Sequence, residues 1–215
     1  MKYRETVARW IKSAVYNVRA RPPYEVTTDI GTISMPHVDE YSERWLYRSK
    51  ANLNRWHEPS LSWLVLMAGR SGNTTFLDIG AHMGYFSILH AARPGNRAFA
   101  LELERRNFET MRQIVDGLPR IRTFHKGLSD AAEEITLQAA ARPNPRASIA
   151  GIKGATGTNT SSVHLVTMDD FVAEQAIAPD IVKIDVEGAE WQVLNGAART
   201  MARDHPLIVV EGHPG

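Results

Sequence analysis

The spacing of hydrophobic and polar residues changes at about residue 75, and the change separates two kinds of predicted structure. Before it, residues 22–36 predict a small hairpin bounded by prolines, and residues 40–70 predict one or two helices. After it, short apolar runs of strand length alternate with helical stretches. Strands that alternate with helices indicate an α/β fold with a parallel sheet.

The predicted elements of the second part follow one another regularly. We expect strands at 75–80, 97–102, 121–128, 134–138, 180–186 and 206–212, and helices at 85–92, 105–118 and 189–203. Trp191, one turn into the last helix, is expected in the core. Residues 141–162 are rich in Gly, Ala, Ser, Thr and Pro and predict a loop, either a substrate lid or a plain surface insertion.

Residues 1–21 have the pattern of a basic amphipathic helix. They contain six Lys or Arg residues against one Glu, with apolar residues at helical spacing. The apolar stripe of such a helix docks on its own domain or makes a peripheral contact with an anionic membrane surface, and both interpretations stay open.

Composition excludes several classes of function. The 215 residues contain no cysteine, which excludes disulfides, thiolate metal sites and a cysteine nucleophile. A hydrophobic share of 43% and a net charge of +1 are ordinary for a globular domain, and they give no reason to expect a nucleic-acid partner. No apolar run has the length of a bilayer span or the form of a signal peptide, so we expect a cytoplasmic protein. No feature indicates an oligomeric state.

The segment FLDIGAHMGYFS, residues 76–87, predicts a strand, a tight glycine turn and a helix start, where α/β proteins bind ligands. A dinucleotide fingerprint counted from Gly80 would need glycines where this chain has His82 and Tyr85, which argues against NAD or FAD. His82 either contacts a ligand or fills the space left by a missing glycine, and the sequence favours neither interpretation.

Carboxylates end two successive predicted strands. Asp78 precedes the spaced glycines Gly80 and Gly84, and Glu102 ends the next strand. A carboxylate at 102 can accept both hydroxyls of an adenosine ribose, while Asp78 can face a cationic amine directly or through water. An adenosine that lacks phosphates and carries a positive charge is S-adenosylmethionine, which we predict as the cofactor. The alternative is structural: the glycines only make the turn, and Glu102 only caps a strand end.

Three charged residues alternate in the segment KIDVEGAEWQVLNGA. On a strand, Lys183, Asp185 and Glu187 would share one face, with both carboxylates toward the carboxyl end, where open α/β sheets place their sites. Buried charges persist when they are paired, so Lys183 is expected to neutralise a carboxylate; the candidates are Asp78, Asp185 and Glu211. An ion-pair network that only orders the sheet is the alternative.

With these motifs, the chain resembles the FkbM-type S-adenosylmethionine-dependent methyltransferases. The matching segments run in order from residue 57 to 213: HEP (57–59), FLDIGAHMGYFS (76–87), ALELERRNF (100–108), KGLSD (126–130), TMDDF (167–171), IVKIDVEGAEWQVLNGA (181–197) and PLIVVEGH (206–213). The resemblance implies the Rossmann-like class I methyltransferase fold, a mostly parallel sheet with flanking helices. It also implies O-methylation of a hydroxyl on a sugar, glycolipid or polyketide-like small molecule.

The resemblance also implies a domain plan. Residues 1–60 are expected to form an N-terminal helix, hairpin and helical cap, in one compact unit with an S-adenosylmethionine-binding domain at 61–215. The closing strands usual at the end of this fold have no counterpart in the sequence. Either the chain is a fragment, or the hairpin or a second chain covers the exposed edge.

By position, the resemblance implies a set of cofactor-binding residues. Ser129 and Asp130 are expected near the adenine, and Glu58 at the mouth of the same pocket. The full set of candidates is Glu58, Asp78, Gly80, His82, Gly84, Glu102, Ser129 and Asp130.

Methyl transfer to a hydroxyl requires attack geometry and removal of a proton. We expect Asp185 or His213 to be the base and Glu187 to orient the acceptor, with Lys183 as their charged partner. A divalent metal that polarises the hydroxyl is an alternative, but no ligand spacing indicates one. Two other functions also stay open: a methyltransferase that acts on RNA or protein, and a non-catalytic S-adenosylmethionine-binding module.

Overall fold

The computed structural model of the chain describes residues 22–48, 58–138 and 160–212. The chain divides into two compact units, Met1–Ser62 and Trp63–Gly215. The predicted basic helix at 1–21, most of the predicted loop at 141–162, and His213 lie outside the described residues.

The first unit contains the predicted hairpin and a helix. Strands β1 (Tyr24–Thr28) and β2 (Gly31–Met35) pair antiparallel in a two-stranded sheet of their own, which confirms the hairpin. Helix α1 (Glu40–Arg48) follows, and helix α2 (Pro59–Ala68) crosses the boundary between the units.

Strands and helices alternate through most of the second unit. In chain order they are β3 (Thr75–Ile79), α3 (Tyr85–Ala91), β4 (Arg97–Leu101), α4 (Arg105–Ile114), β5 (Ile121–Phe124), β6 (Gly127–Ser129), β7 (Glu133–Gln138), β8 (Thr160–Thr167), α5 (Met168–Glu174), β9 (Ile181–Ile184), α6 (Glu190–Asn195), α7 (Ala198–Asp204) and β10 (Leu207–Val210). Most bounds lie within two residues of the sequence prediction. Residues 160–162, predicted as loop, belong to β8.

Five parallel strands form the central sheet in the order β10-β9-β3-β4-β5. The chain runs outward from β3 through β4 to β5 and then returns to the other side of β3 for β9 and β10. The strand order therefore reverses between β3 and β9, and open α/β sheets bind ligands at the carboxyl ends of the strands at such a point. The predicted α/β fold with a mostly parallel sheet is confirmed.

Side chains alternate between the two faces of this sheet. One face carries the main apolar core, in which Leu77, Ile79 and Val182 pack with residues of α5 and α6. Asp78 and Lys183 are direct neighbours on β3 and β9 and point to the opposite face, toward α3. Two charged residues therefore lie side by side inside the sheet layer.

The predicted strand at 121–128 is two strands in different sheets. Its first half is β5 of the central sheet, and its second half is β6, which pairs with β8 in a three-stranded sheet ordered β6-β8-β7. A Cβ atom at Gly127 would lie 2.5 Å from the Leu165 side chain and 2.8 Å from that of Leu103. The glycine allows this close approach, and the apolar pattern continues through the turn without showing it.

The predicted helix at 189–203 is also interrupted. It forms α6 and α7, which meet at Gly196, where a Cβ atom would lie 2.1 Å from the backbone oxygen of Ser129. The expectation that Trp191 lies in the core is wrong. Its side chain is 71% exposed, whereas Glu190 and Val193 supply the buried side of α6.

Candidate active site

The glycine turn after β3 lies at the reversal point of the sheet. Gly80 and Gly84 both have a φ angle of 76°, in the left-handed region that favours glycine. A Cβ atom at Gly80 would also lie 1.8 Å from the backbone oxygen of Asp185, so only glycine fits against the end of β9. His82, between the two glycines, has a φ of 51°, and its side chain is half-buried.

Glu102 holds this turn against the next strand. The backbone N–H of His82 donates to Glu102 Oε2 at 2.8 Å, and the N–H of Glu104 donates to Oε1 at 2.8 Å. Burial raises the pKa of Glu102 to about 7, although these two hydrogen bonds favour the charged form. Glu104 itself caps α4 by accepting from the N–H of Asn107 at 2.8 Å.

Lys183 lies at the centre of the buried charges beneath the turn. Its ammonium donates to the backbone oxygen of Gly80 and to Asp185 Oδ2, each at 3.1 Å, and lies 3.6 Å from Asp78 Oδ1. The lysine therefore ties β3, the glycine turn and the end of β9 together. Of the expected partners, Asp78 and Asp185 both lie within ion-pair distance.

Two residues of α3 complete the surroundings of this cluster, and sequence reasoning missed both. The Ser87 hydroxyl donates to Asp78 Oδ2 at 2.7 Å, and the Lys183 ammonium lies 5.5 Å from the centre of the Phe86 ring. Asp78 is fully buried; burial raises its pKa, while Lys183 and the Ser87 hydrogen bond oppose that rise. A phenylalanine and a serine in the first turn of a helix carry no sequence signal of this role.

The loop from β9 to α6 carries the predicted catalytic carboxylates. Because β9 ends at Ile184, Asp185 and Glu187 lie in the loop rather than on one strand face. Glu187 has a φ of 55° and Gly188 a φ of 105°, so two consecutive residues of this loop have positive φ angles. Glu190, buried at the start of α6, accepts from the N–H of Gly188 at 3.0 Å and braces the loop. Glu190, the last residue of the segment VEGAE (186–190), therefore stabilises the loop, a role that sequence reasoning missed.

The remaining predicted site residues are described by their local contacts. Ser129 is buried on β6, with its hydroxyl 3.2 Å from Asp130 Oδ1, and Asp130 is exposed. Glu58 belongs to the first unit, where its backbone oxygen accepts from the N–H of Ser62. Glu211 follows β10 and is exposed. The residues brought together at the sheet's reversal point are Asp78, Gly80, His82, Gly84, Glu102, Lys183 and Asp185.

Comparison with protein families is decisive. The profile described as Methyltransferase FkbM domain matches residues 78–215, more than half of the chain. The chain belongs to the FkbM methyltransferase family. A methyltransferase family of this kind implies the use of S-adenosylmethionine.

Two solved structures are similar to this FkbM-family chain at low identity. Methyltransferase FkbM from Methylobacillus flagellatus KT is 20% identical with a TM-score of 0.46, over 65% of this chain and 33% of that one. Precorrin-6y C5,15-methyltransferase from Geobacter metallireducens GS-15 is 15% identical with a TM-score of 0.42, over 70% of this chain and 61% of that one. The chain thus spans a third of the first and less than two thirds of the second. Comparison with curated proteins found no match.

The described residues contain neither a helix suited to cross a membrane nor a cluster of metal-ligating side chains. In residues 22–48, 58–138 and 160–212, no helix combines the length and the apolar character needed to cross a bilayer. The same residues contain no group of three or more His, Asp or Glu side chains arranged as metal ligands.

Proposed function

We propose that this FkbM-family chain transfers a methyl group from S-adenosylmethionine to a hydroxyl of a sugar, glycolipid or polyketide-like small molecule. The observation that supports it is the position of buried Glu102 beside the glycine turn at the reversal point of the sheet. When bound, S-adenosylmethionine supplies an electrophilic methyl group, which leaves sulfur's bonding electron pair behind when the acceptor oxygen attacks.

The donors and acceptors around Glu102 fit the nucleoside part of that cofactor. Each Glu102 oxygen accepts one backbone N–H, and a carboxylate offers about four lone-pair positions, so two hydroxyl donors can still be accepted. Asp78 cannot serve the ribose in this way, because it is fully buried on the α3 side of the sheet. Glu102 is therefore the residue we assign to the ribose hydroxyls.

The chain's own part in the chemistry is to orient the acceptor and to take its proton. Asp185 and Glu187 are carboxylates in the loop at the carboxyl end of β9, beside the glycine turn. One of them, or His213, would receive the hydroxyl proton as the O–CH3 bond forms. Lys183 and Glu190 hold this loop in place by hydrogen bonds. A rigid loop keeps the acceptor and the base in the geometry that the reaction needs.

Small-molecule acceptors are favoured over nucleic acid by charge. The net charge of +1 gives no overall attraction to polyanions, and the sequence concentrates its basic residues in positions 1–21, which we assign to docking or to a membrane surface. We propose no metal, since no ligand spacing calls for one.

Calorimetric titration with S-adenosylhomocysteine tests the cofactor site without a known acceptor. We expect micromolar binding to the wild-type protein and no binding of NAD. Glu102→Gln should weaken binding at least tenfold, because it replaces one acceptor oxygen with an NH2 group that faces a backbone N–H. The matched control is Glu109→Gln, on the exposed side of α4, which should bind like the wild type. Folded wild-type protein that binds no S-adenosylhomocysteine would refute the proposal.

A further inference from the structure

The buried cluster beneath the glycine turn has one accessible carboxylate. The cluster contains two carboxyl groups, those of Asp78 and Asp185, beside one lysine ammonium. The Asp78 side chain is 0% exposed, whereas that of Asp185 is 24% exposed. Of these two carboxyl groups, only that of Asp185 is therefore accessible to a ligand.

Asp78 is closed to solvent and already lies beside one cation. Its Oδ2 accepts from the Ser87 hydroxyl at 2.7 Å, and its Oδ1 faces the Lys183 ammonium at 3.6 Å. The same ammonium also donates a hydrogen bond to the backbone oxygen of Gly80. Lys183 lies near both carboxyl groups, 3.6 Å from Asp78 Oδ1 and 3.1 Å from Asp185 Oδ2, so its charge does not distinguish them. The difference is exposure: a ligand amine would have to enter the protein interior to reach Asp78, whereas Asp185 is partly exposed.

The order of the strands shows which end of the cofactor reaches Asp185. β4 and β9 flank β3 on opposite sides, so Glu102 and Asp185 lie on opposite sides of the glycine turn. A cofactor with its ribose at Glu102 that crosses the turn brings its amino-acid end to the β9 side. There the N–H of Asp185 bonds the backbone oxygen of Ile79, which fixes the aspartate against the end of β3.

We infer that Asp185, and not Asp78, is the carboxylate that binds the amino group of the cofactor. The inference rests on the proposed function, since it requires the nucleoside at Glu102. A carboxylate that binds an ammonium cannot also take a proton from the acceptor. The role of base therefore passes to Glu187 or His213, and Asp78 becomes a positioning residue that holds Lys183.

Two ligands that share the nucleoside but differ at the amino acid test this assignment. S-adenosylhomocysteine carries the amino group, and 5′-methylthioadenosine lacks the whole amino-acid end. Asp185→Asn keeps the size of the side chain and an oxygen that can accept from Lys183. We expect it to weaken S-adenosylhomocysteine about ten- to hundredfold and to change 5′-methylthioadenosine less than about twofold in calorimetric titrations.

Two control variants separate the sources of an effect. Asp116→Asn makes the same change at an exposed position after α4 and should leave both affinities unchanged. Glu102→Gln should weaken both ligands alike, because both contain the ribose. Thermal unfolding of each variant shows whether the fold is retained.

Each other result overturns the assignment in a different way. If Asp185→Asn weakens both ligands equally, Asp185 shapes the site and does not contact the amine. If it weakens neither, the amine binds elsewhere and Asp185 is free to act as the base. If folded wild-type protein binds neither ligand, the cofactor proposal itself fails, and this inference fails with it.

Discussion

Lys183 is a buried lysine that connects β3, the glycine turn and the loop after β9. A lysine inside a parallel strand is costly unless it is paired, and here it is held by Asp78, Asp185 and the backbone oxygen of Gly80. The alternation of Lys, Asp and Glu in the sequence predicted a paired lysine and its candidate partners. It did not predict Ser87 and Phe86, because their roles follow from the placement of α3 over the sheet.

The pairing of Lys183 with Asp78 predicts a compensating effect on stability. Lys183→Met leaves Asp78 buried without its ammonium, and we expect a loss of about 3–5 kcal/mol of unfolding free energy. Adding Asp78→Asn removes the uncompensated charge and keeps an acceptor for Ser87, so the double variant should recover most of that loss. Urea unfolding at pH 7 measures both values.

The control for this prediction is Lys126→Met, which removes a lysine from a more exposed pair with Glu174. Exposed pairs contribute little, so its cost should stay below about 1 kcal/mol. The prediction fails if Lys183→Met costs no more than this control. It also fails if the double variant is no more stable than Lys183→Met alone.

At the scale of elements, the sequence predicted where strands and helices occur better than where they break. Hydrophobic periodicity continues through Gly127 and Gly196, although the chain changes sheet at the first and starts a new helix at the second. Both breaks depend on close contacts with distant residues, Leu165 and Ser129, which no local pattern records. The exposed position of Trp191 was not predicted either, because Glu190 and Val193 supply the buried side of α6.

The TMDDF motif shows a similar limit. Thr167 caps its own helix, α5, by accepting from the N–H of Asp170 at 3.0 Å. Asp169 instead accepts from the N–H groups of Arg199 at 3.0 Å and Thr200 at 2.7 Å, at the start of α7. Although burial raises the pKa of Asp169, these hydrogen bonds lower it overall. A cap supplied from another helix cannot be found by scanning the helix start.

The contact at Gly196 predicts the effect of adding one methyl group. Gly196→Ala would place Cβ 2.1 Å from the backbone oxygen of Ser129, so either β6 or the start of α7 must shift. Overpacking of this kind costs about 1–3 kcal/mol, which urea unfolding can measure. Gly212→Ala is the control, because nothing lies within 4 Å of the added Cβ. Equal stability of the two variants would show that this contact does not fix the helix break.

At the scale of the whole molecule, two buried titratable groups make the free energy of unfolding depend on pH in opposite directions. They lie near opposite ends of β3. At the amino end, His90 is buried with Nε2 3.2 Å from the Thr74 hydroxyl, and burial lowers its pKa below the ordinary value of 6.5. At the carboxyl end, burial raises the pKa of Glu102 from its ordinary 4.5 to about 7. The sequence indicated the second group through its place after a strand, but it gave no sign of the first.

The signs of the two effects follow from which state binds the proton. Below pH 6.5 the unfolded chain protonates His90 while the folded protein resists, so this group lowers stability as the pH falls. Between pH 4.5 and about 7 the folded protein keeps a proton on Glu102 that the unfolded chain has lost, so this group lowers stability as the pH rises. Each group therefore offsets part of the other's effect in the range that they share.

Variants that cannot titrate separate these two contributions. As the pH falls from 8 to 5, the wild type should lose stability relative to His90→Gln and gain stability relative to Glu102→Gln. Unfolding free energies from urea titrations at several pH values give both differences, and constant offsets between the proteins do not affect them. If neither difference changes with pH, the two groups do not set the pH dependence of folding, and the raised pKa of Glu102 would need revision.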